Sequence, residues 1–346
     1  MNYVMKNRLS FLSTTIFFMI VMMFASGVVF ANNPVSLVSP FSWKPSKEHL
    51  CIDTDEAREV YARIINGDYF EIEELKNHNI VKQLDAISDY YKNKYGDTSK
   101  IKTPERQELR KKIIQDFLAI GSARLTQAQL AGATTGAEKA TTTGVKGGVP
   151  TGKYVFDGPL KKEFKLELIL GLPASGKSTA FVNPHSDILD AFILDCDVIK
   201  ELLPEFQETF GGAADAVHFE SFALMDEAMK EFLEGGLKGT NIIIPIVAPN
   251  FDELMEKYIQ PFEHAGYDVR AVFVGTPEKI CMNWNVKRQL DSGRIFTSKV
   301  AFSFGDKPRE VYERLKVMIN SKGKPYGEKF EETAEELEEE EVKEAA

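Results

Sequence analysis

The stretch FKLELILGLPASGKST, residues 164–179, decides the fold. Its first half, with Leu166, Leu168, Ile169 and Leu170, is a short apolar run of the length of a buried strand. Its second half sets Gly171, Gly176, Lys177 and Ser178 in the spacing G-x-x-x-x-G-K-[ST]. Glycines there let successive backbone N–H groups close around a polyphosphate, and a helix beginning at Gly176 turns its positive end to the same anion. Lys177 is expected to reach the β- and γ-phosphates and Ser178 to hold Mg²⁺. Gly171, Ala174, Ser175, Gly176, Lys177, Ser178 and Thr179 are thus the candidate nucleotide-binding residues, with ATP and Mg²⁺ as the expected cofactors.

Downstream the pattern alternates. Strands are expected at 164–170, 192–195, 241–247 and 269–274, with helices over 215–233 and 251–264 between them. Strands separated by helices predict a parallel sheet with right-handed crossovers, hence an α/β, P-loop NTPase-type domain over 153–327. Regulatory GTPases, motor ATPases and small-molecule kinases share such a loop. The guanine-reading N-K-x-D is absent, and the third strand, NIIIPIVAPN, lacks the acidic end of a motor ATPase.

The stretch FILDCDVIKELLPEF places Asp195 and Asp197 at the carboxyl end of the second strand, the edge where open parallel sheets bind ligands. A carboxylate there can take the proton of an acceptor hydroxyl as it attacks the γ-phosphate. Asp197 is the candidate base and Asp195 the candidate magnesium ligand. The competing reading makes Asp197 the cap of a helix over 198–203. His218 and Ser221 share a helix face. With Glu220 they are candidate acceptor contacts, set against a core face of Val217, Leu224 and Ala228. Arg288 and Arg294, six apart around Ser292-Gly293, are the candidate groups for stabilising the transferring phosphoryl charge alongside Lys177.

Residues 153–320 resemble the zeta toxin family of P-loop kinases. The resemblance is carried by GLPASGKST, LDCDVIKELLPEF, GGAADAVHFES, HAGYDVRAVFVGTPE and KRQLDSGRIF, in that order and spacing. It implies ATP- and Mg²⁺-dependent phosphorylation of a small acceptor, such as the 3′-hydroxyl of the nucleotide sugar UDP-N-acetylglucosamine. It implies Asp197 as catalytic base, Lys200 as an acceptor contact, the helix at His218 as a pocket wall, and Arg288 and Arg294 on ATP phosphates. An antitoxin or immunity protein is the partner that the resemblance suggests. The chain departs from the family where many members end the third strand in an acidic residue; here stand Pro245 and Val247.

Around this domain the composition shifts. Residues 32–50, which contain Pro and Ser, read as extended, and 53–124 carry helical patterns, as in Ala57, Val60, Tyr61 and Ile64, or Ile113, Ile114, Phe117 and Ile120; together 32–124 predict a small helical domain. Residues 125–152, rich in Ala, Thr and Gly, read as a linker. The net charge is −10, and residues 328–346 hold ten Glu against two Lys, so the acidity belongs to a solvated tail. The near-neutral body excludes a nucleic-acid footprint. Three cysteines, Cys51, Cys196 and Cys281, make neither a disulfide framework nor a zinc site.

At the start, Lys6 and Arg8 precede an apolar run over 11–31 that ends Val29-Phe30-Ala31, small at the −3 and −1 positions. Residues 1–31 read as a signal peptide or an N-terminal anchor, and either places the chain outside the cytoplasm. A start at Met22 or Met23 would leave it cytoplasmic.

Overall fold

The computed structural model describes residue 52 and residues 54–133, 160–178 and 190–327, with side chains on 54–119 of the first stretch. The candidate leader, most of the linker, Thr179 and the acidic tail lie outside the described residues. Among the described residues no helix is long and apolar enough to cross a membrane.

Four parallel strands form the sheet: β1 (Lys165–Leu170), β2 (Phe192–Ile193), β3 (Ile242–Ile246) and β4 (Asp268–Phe273), in the order β2-β3-β1-β4. β1 runs between β3 and β4, with Leu168 opposite Ile244 on one side and Ala271 on the other. Leu166, Leu168, Ile169 and Leu170 are fully buried, as a strand covered on both faces requires. The chain leaves β1 toward β2 on one side and crosses to β4 on the other. The loop after β1 therefore sits at the point where the strand order reverses, the standing ligand position of such sheets. This is a P-loop NTPase-type α/β fold preceded by a helical region.

Pro245 is tolerated inside β3 for a reason of register. Asn241 and Ile243 turn their carbonyls to Phe192 and Leu194 of the β2 side, so odd positions of β3 face β2. β2 ends at Ile193, and the missing N–H of Pro245 falls where the ladder has stopped. A second proline shapes the helix over 251–264. Pro261 has no N–H to continue the α ladder, and the turn before it widens: α8 (Phe251–Leu254) passes through a π turn (Met255–Ile259) into α9 (Gln260–His264).

Helices cover the sheet. α5 (Cys196–Glu201) and α6 (Pro204–Glu208) follow β2, α7 (His218–Glu234) precedes β3, and α10 (Glu278–Ser292), α11 (Ser298–Phe302) and α12 (Lys307–Lys316) follow β4. Upstream, α1 (Asp55–Ile65) starts at Thr54, whose hydroxyl accepts from the Ala57 N–H. α2 (Ile72–Asn77), α3 (Asn79–Tyr95) and α4 (Pro104–Ala133) follow it. Ala57, Val60 and Ile64 are buried as their spacing predicts, as are Ile113, Ile114 and Phe117 of α4.

These upstream helices pack on the sheet half. Ile113, Ile114 and Phe117 join the same core as β1 and β3, and the Phe117 ring meets Phe192 of β2 edge-on at 5.2 Å between centroids. Asn283 of α10 donates to the Phe70 carbonyl and accepts from its N–H, as a neighbouring strand would. The described residues all belong to one compact unit, 39–346.

Candidate functional site

The loop after β1 is built from backbone that few residues tolerate. Gly171 has φ +155°, and a Cβ there would lie 2.8 Å from Ser175 Oγ and 3.1 Å from the Val274 carbonyl. Gly176 has φ +92°, and a Cβ there would meet no atom of the described residues within 4 Å. Ala174 is held left-handed at φ +57°, at a cost of about 1–2 kcal/mol. The loop is pinned from β4's end: Val274 N–H donates to the Leu170 carbonyl, and Thr276 Oγ1 to that of Ser175 at 2.8 Å. Beneath it, Cys281 is buried and its thiol is pushed up to about 11 by desolvation, so it is an inert packing residue.

Lys177 donates to the carbonyls of Gly171 (2.8 Å) and Leu172 (2.7 Å), folding its ammonium back over the loop. Ser175 Oγ is buried and has no hydrogen-bond partner among the described residues. Among those residues, an orphan hydroxyl, a left-handed glycine clear of other atoms and an ammonium along one turn fit a polyphosphate. Gly171, Ala174, Ser175, Gly176, Lys177 and Ser178 are together here; Thr179 lies outside the described residues.

The second strand ends earlier than its pattern suggests, because Asp195 caps the next helix. Its Oδ1 accepts from the Asp197 N–H at 2.8 Å, and α5 starts at Cys196. The cap is therefore Asp195, and the expected helix over 198–203 begins two residues sooner. With the capping done by Asp195, the Asp197 carboxylate is turned to other partners. Lys200 Nζ lies 3.2 Å from it, Arg288 Nη2 3.5 Å and Arg294 Nη2 2.9 Å. Arg294 also pairs with Glu201 at 3.3 Å and lies over the Phe206 ring. The Asp195, Cys196 and Asp197 side chains come within 4.8 Å of one another, and the two carboxylates are donors of the kind Mg²⁺ takes. With three cations on Asp197, Asp195 is the better placed of the two.

Lys200 is 2 % exposed. Its ammonium also reaches His218 Nδ1 at 3.1 Å and sits 5.4 Å from the centre of the Phe296 ring. An ammonium can only donate, so Nδ1 accepts and the His218 proton is on Nε2. Burial, then the Lys200 charge, pull His218 down to about 4, and it is neutral at physiological pH. Phe222 and Phe296 hold its ring edge-on at 4.8 Å each.

α7 separates the remaining candidates by angle. At 100° per residue, Leu224, Ala228 and Phe232 form the buried stripe, and His218 lies on one flank with Asp197 and Lys200. Glu220 lies on the other flank. Its carboxylate is taken by Arg106 (2.6 Å) and Arg110 (3.4 Å) of α4, and Arg106 also grips Glu205 at 2.9 Å. Ser221 is fully buried and donates to the His218 carbonyl at 2.7 Å. The structure thus brings together Asp197, Lys200, His218, Arg288 and Arg294, and leaves Glu220 and Ser221 away from them. Glu201 and Phe296 join the cluster without having been read in the sequence; their signal was their place inside LDCDVIKELLPEF and KRQLDSGRIF.

No curated protein and no solved structure matches the chain at a significant level. Residues 166–303 match the model of a family described as an AAA domain, a P-loop group with kinase-like members, without singling out the zeta toxins. That span runs from β1 past Arg294 and holds every residue of the cluster, so the sheet half of this chain is a nucleotide-binding domain of P-loop NTPase type.

Proposed function

We propose that the chain is an ATP-dependent kinase of zeta-toxin type that phosphorylates a hydroxyl of a small acceptor, with a nucleotide sugar as the first candidate. The observation that carries the reading is the Asp197 carboxylate beside Lys200, Arg288 and Arg294 at the carboxyl edge of the sheet. A nucleotide-hydrolysing switch has no need of a carboxylate set among three cations at that edge; transfer to a hydroxyl uses both signs.

In the proposed reaction the loop and Lys177 hold the β- and γ-phosphates. Ser178 and Asp195 would hold Mg²⁺, which when bound neutralises phosphate charge. The acceptor oxygen forms a bond to the γ-phosphorus, the bond from that phosphorus to the β–γ bridging oxygen breaks, and ADP leaves. The acceptor proton goes to the Asp197 carboxylate. Arg288 and Arg294, which neutralise Asp197 without nucleotide, turn to the transferring phosphoryl group and so free the base as charge arrives. His218 keeps Lys200 aimed through Nδ1, and Phe222 and Phe296 exclude water from the pair.

The saturation of Asp197 by cations also favours a second reading, a nucleotide-binding interaction protein without transfer. ADP release by the full chain with Mg-ATP and a panel of nucleotide sugars separates them. The kinase reading expects acceptor-dependent ADP release that Asp197→Ala abolishes. Nucleotide binding with no acceptor-dependent release, and no effect of Asp197→Ala, would overturn it in favour of the second.

A further inference from the structure

We propose that Asp85, on a helix outside the P-loop half, is a positioning residue for Arg294 and Phe296. The consequence for turnover rests on the kinase reading above; the anchoring does not.

The segment Gly293–Ser298 has no regular secondary structure until its last residue, yet each of its backbone N–H groups has a separate acceptor. Gly293 donates to the Gln289 carbonyl and Arg294 to Ser292 Oγ. Ile295 donates to the Gly211 carbonyl and Phe296 to Gln289 Oε1. Thr297 donates to Asp215 Oδ2 at 3.0 Å and Ser298 to Asp85 Oδ1 at 2.7 Å. The first four acceptors belong to the sheet half. The last two depend on α3. Asp85 is an α3 residue, and it also accepts from Thr297 Oγ1 at 3.4 Å. Asp215 is itself fixed by two α3 side chains, Ser88 Oγ at 2.6 Å and Lys92 Nζ at 2.7 Å.

The contact surface supports the same assignment. Tyr91, one turn from Ser88, lies so close to Gly212 that a Cβ there would come within 2.6 Å of its ring. On the neighbouring residue, a Cβ at Gly211 would meet Arg294 Cα at 3.1 Å. α3, the Gly211-Gly212 turn and the Arg294 backbone are thus stacked without space to spare. Charge-assisted bonds from carboxylates to backbone N–H groups are about twice as strong as neutral ones. Two of them on consecutive residues fix the far end of the segment, and Arg294 and Phe296 lie within three residues of that anchor. Loosening it leaves Asp197, Lys177 and the phosphate loop in place and lets the guanidinium and the ring wander.

The test compares Asp85→Ala with Asp85→Asn in the full chain, since the asparagine Oδ1 still accepts from Ser298. Hydrogen exchange at 293–298 is read beside turnover of Mg-ATP with the nucleotide-sugar panel. Asp85→Ala is expected to raise exchange in that segment by about tenfold or more while β1 and β4 keep theirs. It is expected to lower kcat about tenfold with KM for ATP within about twofold, the pattern of a lost transition-state contact. Asp85→Asn is expected to remain near the parent in both. If Asp85→Ala does not fold, Ser88→Ala, which loosens Asp215, takes its place. Unchanged exchange at 293–298, a rise spread evenly over the sheet, or equal losses in the two Asp85 variants would overturn the assignment. If the parent chain turns over no acceptor, the kinase reading falls, and the exchange data alone decide whether Asp85 anchors the segment.

Discussion

Arg294 Nη2 lies 2.9 Å from the Asp197 carboxylate, and this pairing ties the segment after α10 to the end of β2. Burial alone would lower the Arg294 guanidinium's pKa, but Asp197 and Glu201 outweigh it and keep the charge. Arg294→Ala is expected to cut acceptor-dependent ADP release by about 10²–10³-fold, the scale for one preorganised charge-stabilising donor. Arg294→Lys should recover little, because an ammonium cannot span Asp197 and Glu201 with a fork. Steady-state kinetics check it; a kcat near that of the parent in Arg294→Ala would remove Arg294 from the reaction.

Nucleotide affinity should depend on Lys177 and Gly171 by different routes. Lys177→Ala removes the ammonium that bridges Gly171 and Leu172, and affinity for a fluorescent ATP analogue should fall about 10–100-fold, the value of a charge-assisted bond or two. Gly171→Ala keeps every charge but drives a Cβ against Ser175 Oγ and the Val274 carbonyl. It should lower both affinity and melting temperature. Titration and thermal unfolding on the same samples separate the two; a Gly171→Ala protein with unchanged binding would mean that the loop does not cradle the nucleotide.

Glu220 divides a structural role from an acceptor role. Its side chain is 8 % exposed and that of Arg106 is 12 % exposed, and removing either leaves the other buried with one partner fewer, Arg110 on Glu220 or Glu205 on Arg106. Arg106→Ala and Glu220→Ala should each cost about 1.5–3 kcal/mol per lost partner in urea unfolding, the scale of a hydrogen bond to a charged group. Surviving folded protein should bind nucleotide normally. Were Glu220 an acceptor contact, Glu220→Gln would raise acceptor KM with stability kept.

Stability should fall with pH through His218. Its unfolded value is near 6.5 and its folded value is about 4, so between these the unfolded chain binds a proton that the folded one refuses. Stability from this site is complete above pH 6.5 and is lost as pH drops toward 4, by an amount on the order of 3 kcal/mol. Lys200 and Arg294 oppose protonation while Asp197 and Asp215 favour it, and burial decides the direction. Urea midpoints at pH 7 and pH 5, for the parent and His218→Asn, test this. The variant should lose the extra slope; parallel slopes would show that His218 protonates freely.

The residue order of the P-loop half was legible because each element has a local cause. An apolar run ending in Gly171 makes a buried strand and a phosphate turn, and apolar spacing places α7 and the helix over 251–264. What failed locally was the junction after β2. Asp195 and Asp197 are both good caps by type, and only the turn of the chain at Cys196 decides that Asp195 caps while Asp197 faces the cations. Glu220 and His218 stand two residues apart and look like one set of contacts in the sequence, yet a 200° turn along α7 sends them to opposite neighbours.

By itself the sequence determined the strand–loop–helix order and the phosphate loop, which follow from periodicity and backbone requirements that act over a few residues. Asp197, Arg288 and Arg294 were legible as candidates from their residue type and place, and Lys200 only through the resemblance to the zeta toxin family. Only the tertiary structure decided that α1–α4 lie against the sheet half, that Arg106 and Arg110 consume Glu220, and that Asp85 reaches Ser298. The last two are pairings across more than a hundred residues, one between side chains and one from a carboxylate-accepted backbone N–H, on the surfaces of helices. Nothing in a helix's own spacing distinguishes a carboxylate that faces solvent from one that another element will cover.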